Sequence, residues 1–362
     1  MSRRRVAVVF GGRSAEHEIS VVSARSVLAA LDPDRFEAVP VGVTKAGRWV
    51  LLPQGPPPLP ESGGLVEVAA AGPAAALEAS ATGHDLVVAD GARVGVDVVF
   101  PVLHGPHGED GSVQGFLEML GIPYVGSGVL ASALGMDKAL QKAVFRDAGI
   151  PVVDHEVVRE REWREDPEAV EARAEHLGFP AFVKPSSLGS SVGISRVAAP
   201  AGLGDALDAA FAHGPKALVE RAAEGCREIE CAVLGNDDPV ASLAGEIVPR
   251  GHDFYDYDAK YLDAAGADLV VPAPLDAATL AEVQRLAVAA FLALDCAGMA
   301  RVDFFLGPDG TLVVNELNTI PGFTGISMYP RLWEASGLPY RDLVTRLVDL
   351  AVERSDAERA RG

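Results

Sequence analysis

The feature that most constrains the fold is an alternation of two patterns in the first third of the chain. Short runs rich in Val alternate with longer stretches of helical periodicity. The strand-like runs are VAVVF at 6–10, AVPVGV at 38–43 and VDVVFPVLHG at 96–105, and the helix-like stretches cover 15–31 and 112–120. Strands separated by helices favour parallel pairing, with the helices packed on the faces of the sheet. The pattern predicts an open parallel α/β domain.

The rest of the chain predicts further domains, because 362 residues exceed one ordinary hydrophobic core. The Pro-rich stretch 52–62 and the Ala-rich stretch 68–82 predict surface excursions without chemistry. One helix is predicted over 129–148, and a second domain begins near it. Short strands around a Gly- and Ser-rich turn follow. Two strands at 299–306 and 311–318 and a C-terminal helix complete the prediction.

Charge limits the partners of the chain. With 51 acidic and 31 basic residues, the net charge of −20 repels nucleic acid and anionic lipid, so neither is an expected partner. A polyphosphate can bind only where cations are placed locally, which makes the position of each lysine informative. The lysines are Lys45, Lys138, Lys142, Lys184, Lys216 and Lys260.

Cysteine usage and hydropathy indicate the compartment. The three cysteines show no CxxC spacing, so neither a disulfide framework nor a structural zinc site is expected, and a reducing cytoplasm is the predicted location. The apolar run at 6–10 is too short for a signal peptide and reads as a strand. No apolar run of about 18 residues is present, so no membrane span is expected.

The strongest local signal for chemistry is a hairpin near the C-terminus. If Asp309–Gly310 is its two-residue turn, Asp303 lies opposite Glu316 and Arg301 opposite Asn318. Side chains two positions apart share a face, so all four project together.

Opposed carboxylates repel unless a cation lies between them, and magnesium prefers the oxygen ligands that Asp, Glu and Asn supply. With Glu316 bridging, two ions could lie over a triphosphate. The alternative is a solvated polar face on a half-exposed hairpin. Arg301 disfavours that alternative, because an arginine beside a metal–phosphate site neutralises charge on the transferring oxygens.

A second signal is Lys184 followed by the Ser- and Gly-rich segment 186–193. Such a turn can direct backbone N–H groups and hydroxyls at phosphate oxygens, with the lysine as a point charge. It is not a Walker loop, because GxxxxGK[ST] is absent and the following residues read as a strand. An ordinary hairpin turn is the alternative. Lys138, predicted in the middle of its helix, could reach a second phosphate or be solvated.

Four other polar residues have a functional and an ordinary interpretation. Glu220 and Glu228 could bind adenine and ribose, or be surface acids. His104 follows an apolar strand at the edge where open sheets bind ligands, but a polar loop accounts for it equally. Glu16 could hold a substrate ammonium, although its place in the first turn of a helix is favourable without any substrate.

Taken together, the segments resemble the D-alanine:D-alanine ligase family over nearly the whole chain. The matching stretches, in order, are GGRSAEHEIS, LHGPHGEDGSVQG, YVGSGVLASALGMDK, VKPSSLGSSVG, YDYDAKYL, RVDFFL and NELNTIPGFT. The resemblance implies a three-domain ATP-grasp fold: an N-terminal α/β domain at 1–127 for the first substrate, a central domain at 128–221 with the phosphate loop, and a C-terminal domain at 222–362 with the metal site. It also implies a cytoplasmic homodimer.

The resemblance implies a role for each matching residue. ATP would be held by Lys138, Lys184, Ser190, Ser191, Glu220, Glu228 and Lys260. Two Mg²⁺ or Mn²⁺ ions would be held by Asp303, Glu316 and Asn318. The first D-alanine would be bound by Glu16 with His104 close by, and Ser190 and Tyr261 would link to Glu16 to close the site. Lys260 and Ser327 would receive the second carboxylate, and Arg301 with the N–H of Gly322 would stabilise the oxyanion.

The implied reaction is ATP-dependent formation of D-alanyl-D-alanine through an acyl phosphate, for peptidoglycan precursors. A lid is expected at 249–262, because an acyl phosphate hydrolyses in water. Relatives that make D-alanyl-D-lactate depart from the AKY pattern, so Lys260–Tyr261 favours an amine as the second nucleophile. Arg221, Cys226 and an extra residue before Glu228 depart from the family's common pattern, which weakens the adenine and ribose assignments.

For the function, the sequence leaves one alternative open and disfavours two others. A D-alanine:D-lactate or D-alanine:D-serine ligase is the nearest. A nucleotide-binding protein without turnover is disfavoured by the joint presence of the metal residues, Lys184 and Arg301. A dehydrogenase of the Rossmann type lacks GxGxxG.

Overall fold

The computed structural model describes residues 3–59, 64–69, 72–80, 83–189, 192–250 and 266–361. The first part of the chain contains β1 (Arg4–Gly11), α1 (His17–Ala30), β2 (Phe36–Val43), β3 (Trp49–Leu51), β4 (Ala75–Ser80), β5 (Gly83–Val88), β6 (Arg93–Val96), β7 (Val98–Pro101) and α2 (Ser112–Leu120). Strand β1 pairs in parallel with β2 and with β7, and β3 adds an antiparallel edge. The predicted parallel α/β domain is confirmed.

The prediction for the Ala-rich stretch 68–82 was wrong in part. Strand β4 lies in it and forms a separate antiparallel sheet with β5 and β6. Val68 is buried, and its N–H donates to Nε2 of His17 over 2.9 Å. Alanine has low strand propensity, so composition concealed a strand that pairing with β5 stabilises.

The middle of the chain contains α3 (Val129–Met136), α4 (Lys138–Asp147), β8 (His155–Arg159), α5 (Glu160–Glu165), α6 (Pro167–Leu177), β9 (Ala181–Pro185), β10 (Ser195–Val197), a 3-10 turn (Pro200–Gly202), α7 (Leu203–Phe211) and β11 (Lys216–Arg221). Its strands form an antiparallel sheet in the order β10-β9-β11-β8. Helices α6 and α7 contribute apolar side chains to a core that includes Val183 and Val219.

The single helix predicted over 129–148 is wrong, because the chain breaks it at Asp137. This residue has extended backbone angles (φ −94°, ψ 96°), and its carboxylate accepts hydrogen bonds from the N–H groups of Ala139 and Leu140. Aspartate is a strong helix N-cap, so it begins a new helix there. Lys138 is therefore the first residue of α4 rather than the middle of a longer helix.

The last part contains β12 (Arg227–Gly235), β13 (Val240–Pro249), β14 (Ala267–Val270), α8 (Ala277–Ala293), β15 (Gly298–Leu306), β16 (Leu312–Asn318), α9 (Met328–Ala335) and α10 (Tyr340–Arg361). The strands form an antiparallel sheet in the order β14-β13-β12-β15-β16. Helix α8 packs on one face of this sheet with Leu286 and Phe291 in the core.

The C-terminal helix returns to the N-terminal sheet. Leu343 and Leu347 of α10 belong to the same apolar core as Val8 and Phe10 of β1. The first and last parts of the chain therefore share a core, which fixes the N-terminal sheet relative to the C-terminal one. The described part of the chain holds no helix long and apolar enough to cross a bilayer.

Candidate active site

A cleft of about 670 Å³ separates the central sheet from the C-terminal sheet. The central side supplies Lys138, Lys184 and Glu220, and the opposite side supplies charged residues from β12, β15 and β16. The residues on that opposite side that sequence reasoning selected are Glu228, Arg301, Asp303 and Glu316. The fold thus brings side chains more than a hundred positions apart in sequence, such as those of Lys138 and Glu316, into one cavity. Their convergent charged groups are suited to a polar ligand.

The hairpin of β15 and β16 has the predicted register at its functional end. Asp303 pairs with Glu316 and Arg301 with Asn318. The turn itself differs, because Leu306 pairs with Leu312, which leaves a five-residue loop instead of the predicted two-residue turn. A bulge at Asn315 inserts one residue and restores the predicted partners beyond it.

Each opposed carboxylate has a cation of the chain beside it. Arg301 makes two 2.7 Å hydrogen bonds to Asp303, and the amide of Asn318 donates to Oδ2 of Asp303 over 3.1 Å. Nζ of Lys138 lies 3.1 Å from Oε2 of Glu316. Burial opposes the charge of Arg301, but Asp303 and Glu230 outweigh it and raise the pKa of the guanidinium well above its usual range.

Glu230 is a member of this group that sequence reasoning missed. It pairs with Asp303 across β12 and β15, and its Oε2 lies 3.0 Å from Nε of Arg301. Glu228 and Glu230 are two positions apart on one strand and so share a face. This two-residue spacing was the sequence feature that could have identified Glu230.

The donor set suits a divalent cation with hard ligands. Asp303, Glu316 and Asn318 present carboxylate and amide oxygens on one face of a hairpin, which fits Mg²⁺ or Mn²⁺ when water and phosphate oxygens complete the shell. In the described residues, no three His, Cys, Asp or Glu side chains surround a common point.

Glu220 lies between two lysines at the base of the cleft. Its Oε2 is 2.6 Å from Nζ of Lys184 and its Oε1 is 3.1 Å from Nζ of Lys142, and all three side chains are buried. Burial raises the pKa of Glu220, but Lys142 and Lys184 outweigh it and lower the pKa overall. Burial lowers the pKa of Lys142 to about 8. Sequence reasoning gave Lys142 no role, although its place four residues after Lys138 puts both on one helix face.

The first residues of α4 are tied to the Ser- and Gly-rich loop. The N–H of Lys138 donates to the carbonyl of Ser186, and its Nζ donates to the carbonyl of Leu188 over 2.7 Å. The hydroxyl of Ser186 and the ammonium of Lys216 both bind the Asp137 carboxylate. Ser186 and Leu188 at the start of this loop are therefore fixed to the first turn of α4 beside the cleft.

Of the residues predicted for the first substrate, the structure describes Glu16 and His104, which lie near each other and near Gly189. A Cβ placed on Gly189 would lie 3.3 Å from Oε2 of Glu16, and one placed on Gly105 only 2.8 Å from it. His104 is buried, with Nδ1 3.2 Å from Oε1 of Glu109 and Nε2 3.3 Å from the hydroxyl of Ser23. Burial would lower the pKa of His104, but Glu109 outweighs it and raises the pKa.

Gly322 and Ser327 adjoin each other in the loop before α9. A Cβ on Gly322 would lie 2.8 Å from Oγ of Ser327, so only glycine fits there without a shift of the hydroxyl. Oγ of Ser327 accepts a hydrogen bond from the N–H of Thr324. Neither residue lines the large cleft.

Other predictions lie outside the described residues. They concern Ser190, Ser191, Lys260, Tyr261 and the part of the predicted lid beyond residue 250.

Two family comparisons cover most of the chain. Residues 5–127 match the family described as "D-ala D-ala ligase N-terminus", and residues 144–349 match "D-ala D-ala ligase C-terminus". A protein named "D-alanine--D-alanine ligase" from Thermoanaerobacter sp. (strain X514) is 50% identical over 357 residues, which is 98% of each chain. A protein of the same name from Streptomyces griseus is 50% identical over 370 residues, covering 97% of this chain and 93% of its own.

Solved structures agree with the sequence comparisons. The D-alanine-D-alanine ligase from Coxiella burnetii superposes with a TM-score of 0.86 at 36% identity, covering 99% of this chain and 97% of its own. The VanG D-Ala:D-Ser ligase from Enterococcus faecalis superposes with a TM-score of 0.81 at 33% identity, covering 97% of this chain and 100% of its own.

Proposed function

We propose that the chain uses ATP to join two D-alanine molecules into D-alanyl-D-alanine for peptidoglycan precursors. The chain belongs to the D-alanine--D-alanine ligase family, and the proposal proceeds from that membership. The observation that carries the chemistry is the convergence of Asp303, Glu316, Lys138 and Lys184 on one cleft. Opposed acids flanked by lysines suit a triphosphate with its metal ions, and such a cleft activates a carboxylate by phosphoryl transfer.

The reaction has two steps. A carboxylate oxygen of the first D-alanine attacks the γ-phosphorus of ATP, the bond to the β–γ bridging oxygen breaks, and ADP leaves. The amine of the second D-alanine then attacks the acyl carbon, loses a proton, and expels phosphate from the tetrahedral intermediate. The phosphate carries away one oxygen of the first carboxylate.

The chain's own residues mainly orient these groups and neutralise their charge. ATP is assigned to Lys138, Lys184, Ser190, Ser191, Glu220, Glu228 and Lys260. Bound Mg²⁺ or Mn²⁺ would neutralise the phosphate oxygens, and the residues assigned to hold two such ions are Asp303, Glu316 and Asn318. The hard oxygens on the hairpin face support that assignment.

The two amino acids are assigned to the N-terminal loops and the segment before α9. Glu16 takes the first ammonium, with His104 beside it and with Ser190 and Tyr261 closing the site. Lys260 and Ser327 take the second carboxylate. Arg301 and the N–H of Gly322 stabilise the oxyanion. The closeness of Gly322 to the hydroxyl of Ser327 supports placing the second carboxylate and the oxyanion in one subsite.

The domains are proposed at 1–127, 128–221 and 222–362, with residues 249–262 as the lid. Separate sheets in each range support this division, although α10 shares a core with the first range. The protein is further proposed to be a cytoplasmic homodimer that binds neither nucleic acid nor membrane. The net charge of −20 supports the last point.

The structural similarity to the VanG D-Ala:D-Ser ligase supports a second candidate function, that of a D-alanine:D-serine ligase. The deciding experiment measures ADP release with D-alanine, with and without Mg²⁺, and identifies the product by mass. D-alanyl-D-alanine formed only with Mg²⁺ is the expected result. Competition with D-serine and D-lactate then identifies the preferred second nucleophile. Mg²⁺-dependent ATP turnover without any dipeptide or ester would overturn the proposal.

A further inference from the structure

Strand β16, which carries Glu316, is the edge strand of the C-terminal sheet. One side of it pairs with β15, so the backbone groups on its other side need partners from elsewhere in the chain. On either side of Glu316 those partners come from α4, through Gln141 and Lys142. The contacts join the central part of the chain directly to the C-terminal sheet.

Gln141 takes the place of a neighbouring strand. Its amide nitrogen Nε2 donates to the carbonyl of Leu317 over 2.9 Å, and its Oε1 accepts from the N–H of Leu317 over 3.0 Å. The side chain is fully buried. Nε2 also donates to the carbonyl of Gly135 over 3.0 Å, so the amide plane has little freedom to rotate.

Lys142 holds the residue on the other side of Glu316. Its Nζ donates to the carbonyl of Asn315 over 2.6 Å and pairs with Glu220, and the side chain has no exposed surface. Asn315 is the bulge residue that restores the register of Asp303 and Glu316. A bulge beside a functional site changes the direction of the next side chain. A hydrogen bond to the carbonyl of Asn315 is therefore an effective way to hold the bulge and, with it, the Glu316 side chain.

We propose that Gln141 and Lys142 are positioning residues that fix Glu316 by binding the backbone on both sides of it. This inference rests on the proposed function, because Glu316 matters only if it binds a metal ion. Neither side chain is assigned to a substrate. Each acts on the metal site through Leu317 or Asn315, and groups that orient metal ligands commonly contribute about ten- to a hundredfold to metal affinity or activity.

The test compares Gln141→Met with Gln284→Met. Both substitutions remove a glutamine that binds backbone, but Gln284 donates to the carbonyl of Ser242, away from β16. ADP affinity is measured by titration calorimetry with and without Mg²⁺ and without D-alanine. Gln141→Met is expected to lose about tenfold or more of the Mg²⁺-dependent gain in affinity while Mg²⁺-free binding stays close to the wild type. Gln284→Met should keep both.

Lys142→Met provides a second variant should Gln141→Met fail to fold. It is expected to lose the same Mg²⁺-dependent gain and to raise the Mg²⁺ concentration for half-maximal turnover. A structural role alone would lower the unfolding midpoint and leave the Mg²⁺ dependence unchanged, and that result overturns the inference. Failure of the proposed function is distinct, because the wild type would then show no D-alanine-dependent ADP release.

Discussion

Asp303 and Glu316 are directly opposed across the terminal hairpin, and each carboxylate is held by a different cation of the chain. Arg301 binds Asp303 from the same strand, whereas Lys138 reaches Glu316 from helix α4 in the central part of the chain. The pair therefore connects the two sides of the cleft. Because partners in a buried network act together, changes at either carboxylate should affect nucleotide binding as well as metal binding.

Replacing Glu316 by Gln should abolish turnover while the fold survives. The substitution keeps the shape of the side chain but removes the charge that is proposed to hold a metal ion, so kcat is expected to fall about a thousandfold or more. Steady-state ADP release measures the effect, and circular dichroism checks the fold.

A surface variant controls for loss of charge alone. Glu282→Gln changes an exposed residue of α8 that pairs with Arg285, and it should leave kcat unchanged. Near-normal activity of Glu316→Gln would contradict the metal-bridging role.

Replacing Gly105 by Ala should impair the first D-alanine site. Gly105 has a φ of 72°, and an added Cβ would lie 2.8 Å from Oε2 of Glu16. The carboxylate must move, so the KM for the first D-alanine is expected to rise about tenfold or more, with the KM for ATP little changed. Initial rates over a range of D-alanine concentrations, and separately over a range of ATP concentrations, measure the two constants.

Gly121→Ala is the matched control. Gly121 has a φ of 69° but nothing within 4 Å of an added Cβ. Both variants should lose about 1 kcal/mol of stability from the left-handed backbone. An equal KM for D-alanine in the two variants would remove Glu16 from the first-substrate site.

A nucleotide should protect Cys226 from alkylation. Cys226 lines the cleft and is half-buried, whereas Cys231 and Cys296 are buried. Burial raises the pKa of both buried thiols to about 12, so they should react far more slowly. Peptide mapping after iodoacetamide treatment should show modified Cys226, and a non-hydrolysable ATP analogue with Mg²⁺ should suppress it. Unchanged labelling with the analogue, at a concentration that inhibits turnover, would place the nucleotide elsewhere.

Lys142 should make stability increase with pH relative to Lys142→Met. Burial lowers its pKa from 10.5 to about 8 in the folded chain. Between these two pKa values the unfolded chain binds more protons than the folded chain, so the free energy of unfolding of the wild type rises with pH. Below this pH window the difference in free energy of unfolding between the wild type and Lys142→Met is constant. Urea unfolding at pH 7.5 and 9.5 should show a relative gain of about 2 kcal/mol. A flat or falling difference would show that Lys142 keeps an ordinary pKa.

The parallel sheet, the facing partners of the hairpin and several charged members of the cleft, among them Lys138, Lys184 and Arg301, could be predicted from sequence. Strand and helix periodicity are local, and the family motifs supplied the rest. The pairing of Asp303 with Glu316 was correct although the turn was not, because the bulge at Asn315 compensates for the longer loop. A local turn rule cannot foresee that compensation.

Contacts between distant segments could not be predicted. Gln141 binds Leu317 across 176 positions of sequence, and no periodicity in α4 marks it as the partner of an edge strand. The break at Asp137 was missed for a related reason. A helical pattern continues through it, and the contacts with Ser186 and Lys216 that favour a new helix come from other segments.

Activation of a carboxylate by phosphoryl transfer in the cleft can be followed by isotope transfer. D-alanine labelled with ¹⁸O in its carboxylate is turned over with unlabelled ATP, and the phosphate released is examined by mass spectrometry. One ¹⁸O atom is expected in each phosphate, and one fewer in the first residue of the dipeptide. Phosphate free of ¹⁸O, with ADP still formed, would contradict phosphoryl transfer to the carboxylate.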